Sequence, residues 1–369
     1  MTDLPIEGAT VRVLYAFDVG LSIRLEECRA RVAGLEADER IRHKGHAPQY
    51  FQFDPPPLRL VREIDPVEAG GRRTAAVAEI LLYDFGGVSV GYSIPFSGSL
   101  GELIGFSCAL SADRALERHA EALVARLLEL IADHVDQPSL ADPEEDYLVF
   151  HVPALTTGAD PEEVLERHAA DFARLLRSER DAPSTQEARE ALASRVRFGA
   201  HDLLVLDWNA ALLVDSEPED VMSVLEFANL ELLELRFLDA QLDRSLDRAY
   251  EALQAPRFGL GPGLSRAASK ELRRIAQMQV DGAILYERVS NALKLLGDQY
   301  LARVHRAASQ RFHLSEWSAG ILRKLDVLDS IYQKVHDHAA TRRMELLEWI
   351  IIVLIAFSIV LPFVGLGGK

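Results

Sequence analysis

The chemistry this sequence could perform is concentrated in one acidic stretch and a few scattered histidines and glycines. Glu226, Asn229, Glu231, Glu234, Arg236 and Asp239 crowd a single segment. At helical spacing Glu231 and Glu234 lie one turn apart and could hold a cation with Asp239. The plainer expectation is that Glu231 and Glu234 solvate a helix face while Arg236 pairs locally. His43-x-x-His46 stands beside Arg40, Arg42 and Lys44, a cationic setting that opposes a metal and reads as a basic surface loop. His336-Asp-His338 sends its imidazoles to different sides of a helix and makes a poor metal clamp. Gly98, Gly101 and Gly105 could cradle an anion near a helix start, but the spacing is generic and tight packing is expected. Asp84-Phe85-Gly86 copies a kinase magnesium motif without its companions, so a hairpin turn is expected there. No Walker loop, dinucleotide fingerprint, nucleophile elbow or zincin motif occurs. These residues nominate no catalytic group, no metal ligand and no cofactor. For structural or interaction roles they nominate Trp208, Asn209, Glu226, Asn229, Glu234, Arg236, Asp239, Arg342, Arg343, Glu348 and Trp349.

Composition narrows the partners. At 369 residues the chain can bury two cores, and 49% hydrophobic with 26% charged residues is ordinary for a folded protein. A net charge of −17 disfavours a general nucleic-acid binder, because phosphate affinity comes largely from counterion release by Lys and Arg. Cys28 and Cys108 lie far apart and outside any C-x-x-C spacing, so reduced thiols and no thiolate metal site are expected.

The elements that must position these residues fall into two kinds. Up to residue 215, strands alternate with helices. Strands are expected at 11–17, 58–64, 147–152, 203–206 and 210–214, with a hairpin formed by 75–83 and 88–94. Helices are expected at 21–33, from 97 to 110, at 115–135 behind a Ser111-Ala-Asp cap, and after Asp160-Pro161, where Asp is the N-cap and Pro the first helical residue. This is an α+β or α/β head over residues 1–215. From Ser216 the pattern is helical, with an apolar seam at 225, 228, 232, 235, 242, 246, 249 and 253. A Pro/Gly loop at 256–263, a second long helix at 265–312 and a third from Leu314 complete an expected antiparallel three-helix coiled-coil stalk over 216–345.

The third helix runs without a break into Trp349–Leu366, which carries no charged side chain. As a helix this run spans about 27 Å, close to the hydrocarbon thickness of a bilayer. A core helix so apolar on every face would need protein all round it, and only Gly367, Gly368 and Lys369 follow. A transmembrane anchor over 346–366 is therefore expected. Arg342 and Arg343 on its N-terminal flank keep the head on the cytoplasmic side, Trp349 sits at the interface, and Glu348 snorkels or faces other protein.

Several stretches resemble the family named for a requirement in meiotic nuclear division, formerly a domain of unknown function. They are Leu203-Val-Leu-Asp-Trp-Asn-Ala-Ala-Leu-Leu-Val, Leu225-Glu-Phe-Ala-Asn-Leu-Glu-Leu-Leu-Glu-Leu-Arg-Phe-Leu-Asp, Leu325-Asp-Val-Leu-Asp-Ser-Ile-Tyr and Thr341-Arg-Arg-Met-Glu-Leu-Leu-Glu-Trp-Ile-Ile-Ile. Upstream, Glu79-Ile-Leu-Leu-Tyr-Asp-Phe-Gly-Gly-Val-Ser-Val is similar to the family's hairpin. The chain departs from the pattern between about 95 and 180, and Ser358 stands where many relatives carry an acid. The resemblance implies a membrane-associated oligomer with no established catalytic activity, one of whose relatives supports mitochondrial translation. Without a transit peptide, this chain resembles a bacterial, inner-membrane member.

The resulting expectation is a tail-anchored, self-associating scaffold, more a tether than an enzyme, bound to the bilayer and to a protein partner. The alternatives are an ion-conducting oligomer of CorA-like layout, which would require more than one span, and a membrane-bound hydrolase with a site not marked by any motif.

Overall fold

A computed structural model describes residues 4–33, 41–43, 52–53, 55–141, 145–155, 159–254, scattered positions in 280–294, and 299–365; in the last helix, side chains are described at 348–355 but not at 334–347 or after 355. The expected loop at 256–263, His46 and the side chains of His336, His338, Arg342 and Arg343 fall outside the described residues.

The described residues include a nine-stranded mixed sheet beside three two-stranded ladders. Its strands are β1 (Pro5–Asp18), β2 (Ile41–His43), β3 (Leu58–Glu63), β4 (Val77–Leu82), β5 (Gly87–Ser99), β6 (Glu145–Val152), β7 (Ser194–Val196), β8 (Leu203–Leu206) and β9 (Ala210–Val214). They lie side by side in the order β7-β8-β9-β6-β1-β5-β4-β3-β2. Long β1 pairs antiparallel with β5 on one side and β6 on the other, and β6 and β9 are parallel. The hairpin between β4 and β5 turns at Asp84-Phe85-Gly86 as expected, with Gly86 at φ +104°. The α+β reading of the N-terminal region, with a large sheet, is what the structure contains.

Alternation along the strands sends one set of side chains to each face. On the first face Val11, Val13, Tyr15 and Phe17 of β1 join Val88, Val90, Tyr92 and Ile94 of β5, Phe150 of β6 and Leu212 of β9 in one core. The helices α1 (Leu25–Ala33), α2 (Leu100–Ser111), α3 (Ala115–Ile131), α4 (Pro161–Arg167), α5 (Ala169–Arg177) and α6 (Thr185–Ala191) follow in chain order. Of these, α1 to α5 contribute buried side chains to that core, among them Leu25, Leu103, Leu123, Leu165 and Leu175. Capping follows local chemistry. Ser99 and Glu102 form a reciprocal capping box on α2, and Asp160 accepts from the Glu162 amide ahead of Pro161. The Ser111-Ala-Asp cap is only partly formed: Arg114 occupies the cap position of α3 without a side-chain bond, while Asp113 accepts from the Ala115 amide at 2.9 Å.

The second face is covered by the C-terminal helices α7 (Glu219–Gln254), in its part up to Leu238, and α8 (Gln299–Arg311). Along α7, Leu225, Ala228, Leu235 and Leu242 of the expected seam are buried. The continuous second helix expected over 265–312 is corrected: Leu293–Lys294 is extended and pairs with Gln52–Phe53, and the helix α8 begins only at Gln299. Its buried Leu301, Val304 and Ala308 lie on the side toward β7 and β8, and the Phe312 ring meets Tyr147 of β6 edge-on at 5.1 Å. The middle member of the expected stalk therefore packs on the head, because its apolar face has the sheet to bury against.

The chain divides into two compact units, 1–238 with 284–319, and 239–283 with 320–369. In the second, Lys324 of α9 (Leu314–Gly365) bonds Asp239 at 2.7 Å and Asp243 at 2.6 Å, while Leu242, Ser245, Ile321, Leu328 and Ile331 are buried. Among the described residues no helix is long and apolar enough to cross a membrane, so the expected transmembrane helix is not part of what the structure contains. The apolar run is described in side-chain detail only from Trp349 to Ile355.

Two loops meet closely at the end of β1. A Cβ on Gly86 would overlap the Gly20 carbonyl oxygen, whereas one on Gly71, at φ +80°, would meet nothing within 4 Å. Both substitutions incur the left-handed penalty, but only one adds a collision. Gly86→Ala is expected to cost about 3–5 kcal/mol and Gly71→Ala about 1 kcal/mol in urea unfolding. Equal losses would refute the close approach.

Candidate functional site

The second face of the sheet is polar where a buried face is ordinarily apolar. Cross-strand partners share a face. Pairing of Arg12 with Ser93, Leu14 with Gly91, Ala16 with Ser89 and Asp18 with Gly87 therefore aligns these residues toward α7. Glu145 and Tyr147 of β6 join them opposite Ala16 and Leu14, and Glu79 of β4 joins them opposite Gly91. From α7, Glu226, Asn229, Leu230 and Glu234 recur at the spacing that puts them on one helical side. Gly87 lets the helix come close: a Cβ there would stand 2.9 Å from both Leu230 methyl carbons.

Glu226, Asn229 and Arg236 of α7 each meet a group of the sheet. Buried Glu226 accepts from the Ser89 hydroxyl at 2.6 Å, and burial raises its carboxyl despite that bond and the nearby Arg12 and Arg59. Buried Asn229 donates to the Glu145 carbonyl at 3.4 Å, and Arg236 forms an ion pair with the Glu145 carboxylate. Burial raises the Glu145 carboxyl, with Arg236 opposing. Glu231 bonds His305 of α8 at 3.2 Å, and the His305 ring lies 6.3 Å from that of Phe227. Behind Glu226, Arg12 reaches Glu79 at 3.0 Å and the Ser93 hydroxyl at 2.7 Å, while Arg59 reaches the same Glu79 oxygen at 2.7 Å. Burial alone would raise Glu79, but the two guanidinium groups outweigh it and hold the carboxyl at about 2.

Glu234 and Asp18 form the centre of the arrangement. They are 1% and 3% exposed, and their carboxyl groups lie within hydrogen-bond reach of one another. Burial pushes Asp18 up to about 7, against the lowering effect of the Glu234 bond and the Gly20 amide. Burial, then the Asp18 charge, drives Glu234 well above the carboxylate range. The expectation that Glu234 solvates a helix face is thus overturned, since the part of α7 up to Leu238 packs on the sheet and the Glu234 side chain is buried there. Asp239 does not join it but pairs with Lys324 in the second compact unit, and Glu231 is taken by His305. Among the described residues no three His, Cys, Asp or Glu side chains converge on a position for a metal ion.

A second buried acid lies at the turn between β8 and β9. Asp207, fully buried, accepts from Arg177 of α5 at 3.1 Å and from the Trp208 amide at 2.8 Å, and pairs with Arg311 of α8. Its carbonyl accepts from the Tyr147 hydroxyl at 3.0 Å. Helices from both faces of the sheet thus hold one carboxylate. Trp208 beside it is 61% exposed, and the Asn209 carbonyl accepts from the Leu148 amide. Glu348 and Trp349 are exposed on α9. Near the start of α2, Glu102 occupies the space beside Gly98, leaving no room there for an anion, and Gly105 faces open space, so tight packing does not explain it. His43 lies on β2.

Sequence reasoning nominated Glu226, Asn229, Glu234 and Arg236 but missed their partners Asp18, Ser89 and Glu145, and missed Asp207 with Arg177 and Arg311. The signal was present in β1 and β4, where Val-Arg-Val and Ala-Glu-Ile each set a charge between apolar neighbours of a strand.

Comparisons with known proteins extend over the sheet domain. A family described as the N-terminal domain of the uncharacterized protein MJ0711 matches residues 8–220. The uncharacterized protein MJ0711 of Methanocaldococcus jannaschii is 24% identical over 205 residues, 55% of this chain and 62% of that protein. The chain therefore matches less than two thirds of this relative's length. The matched region holds all nine strands except the first residues of β1, and it ends just after α7 begins.

The Glu79 network makes its own pH prediction. Its carboxyl is depressed in the folded state, so the stabilisation is present above the unfolded value near 4.5 and is lost as pH falls toward about 2. Glu79→Gln is expected to lower stability at pH 7 by on the order of 2–3 kcal/mol and to flatten the acid limb of the stability profile between those values. An unchanged acid limb in urea unfolding would show that Arg12 and Arg59 do not hold the charge.

Proposed function

We propose that this chain, which belongs to the family of the N-terminal domain of the uncharacterized protein MJ0711, is a membrane-tethered, self-associating scaffold that presents its α/β domain to a protein partner at the cytoplasmic face of a bilayer. The observation that carries the reading is the exposure of Trp349 through Ile355. These consecutive apolar side chains are between 49 and 67% exposed. Successive helical residues step about 100° around the axis, so seven of them cover every direction and no single packing partner would hide them all. In sequence the apolar, uncharged run continues to Leu366, long enough for a bilayer core. Arg342 and Arg343 precede it, as the positive-inside bias requires for a cytoplasmic head.

The resemblance of 225–239, 325–332 and 341–352 to the meiotic-nuclear-division family supports membrane association and self-association, and leaves support of translation as one setting for the tether. The acids gathered in the head argue against the hydrolase alternative. Asp18, Glu226, Glu234 and Asp207 are sealed beneath α7 or between arginines, where a substrate has no approach. They act on the fold.

Vesicle flotation of the full chain, beside a form lacking 346–369, tests the tether. The full chain is expected to rise with the vesicles and the shortened form to stay behind. A full chain that stays in solution would overturn the membrane reading. Light scattering of the detergent-solubilised protein tests self-association, where a defined oligomer is expected and a monomer would reduce the reading to a tethered single domain.

A further inference from the structure

Among the described residues no donor gives a hydrogen bond to either oxygen of the Glu234 carboxyl, although the side chain is almost wholly buried. What it does meet is the Asp18 carboxyl, another acceptor. Two ionised carboxylates pressed together out of water repel, and an orphaned buried charge is among the costliest features a fold can contain. A single proton between them turns this contact into an O–H···O bond and leaves one negative charge, which the Gly20 amide helps to hold on Asp18.

The surroundings offer no substitute for that proton. On α7, Arg236 is engaged by Glu145, Glu226 by Ser89 and Glu231 by His305 of α8. At the start of β6 the charged group is Glu145, and in the neighbouring ladder Asp136 is taken by Ser22 and Arg24. The hairpin turn contributes Asp84, a further acid. Among the described residues no cation acts on either member of the pair, and no third ligand completes a metal site. The pair lies in the interface between α7 and the end of β1, one turn beyond the contact of Leu230 with Gly87.

We propose that Asp18 and Glu234 form a proton-held latch: one shared proton fastens this turn of α7 to β1, and its transfer to water on alkalinisation leaves two buried anions that push the turn off the sheet. The latch acts within the head and is independent of the membrane reading.

Hydrogen–deuterium exchange of the full chain in detergent at pH 6 and pH 8 tests it, with labelling times scaled for the intrinsic pH dependence of amide exchange. Peptides covering 14–20 and 228–238 are expected to lose protection at pH 8, by up to about tenfold for each pH unit above the titration of the pair. In Glu234→Gln the amide donates to Asp18 without a titrating proton, so protection is expected to be the same at both values. Should that variant fold poorly, Asp18→Asn donates to Glu234 and carries the same expectation. Protection in the unaltered chain that does not change between pH 6 and pH 8 would overturn the latch. So would protection at pH 8 restored by added calcium or magnesium in the unaltered chain but not in Glu234→Gln, which would assign the pair to a cation.

Discussion

The structure depends on how a sheet buried on both sides accommodates a polar face. The first face is apolar and is covered by α1 to α5 in the usual way. The second carries Arg12, Asp18, Glu79, Ser89, Ser93 and Glu145, groups that cost several kcal/mol each if buried unpaired. Only a helix bringing matching polar groups could cover it. With Glu226, Asn229, Glu234 and Arg236 on its docking side, α7 is that helix, and its apolar neighbours Leu225, Leu230 and Leu233 supply the burial. The pairing makes docking specific, because a slip of one helical turn would leave several charges without partners.

The same logic accounts for Asp207. A carboxylate at the end of the sheet receives an arginine from α5 and another from α8, so the helical layers on the two faces are joined through one residue. Arg177 also pairs with Glu187 of α6, and Tyr147 fastens the turn from below. These groups fasten the turn between β8 and β9 and leave Trp208 exposed.

The family match ends at residue 220, where α7 has only begun. Nearly all of the polar face is therefore in the matched region, while the helices that cover it are contributed by the residues after it. A domain of this kind is incomplete without its C-terminal helices, which explains why α8 returns to the sheet and does not extend a free-standing stalk. The apolar stretch from Trp349 to Ile355 differs from this arrangement, since its side chains are between 49 and 67% exposed.

Much of this was legible in the residues. Apolar runs marked β8 and β9 to the residue, alternation marked the second half of β1 but not its start at Pro5, Asp160-Pro161 marked the start of α4, and Gly86-Gly87 marked the hairpin turn, because strand period, capping and φ preference are local properties. The unbroken pattern from Ser216 likewise announced α7. The polar side of α7 was read as solvated because a helix does not encode what will lie against it. Arg12 and Glu79 in their strands, like Glu234 on its helix, are placed by the period on a definite side, and that much the sequence determined by itself. Whether that side meets water or another charged surface was decided only when the chain returned from residue 219 to lie across strands begun at residue 5, a contact of long sequence separation that no local preference specifies.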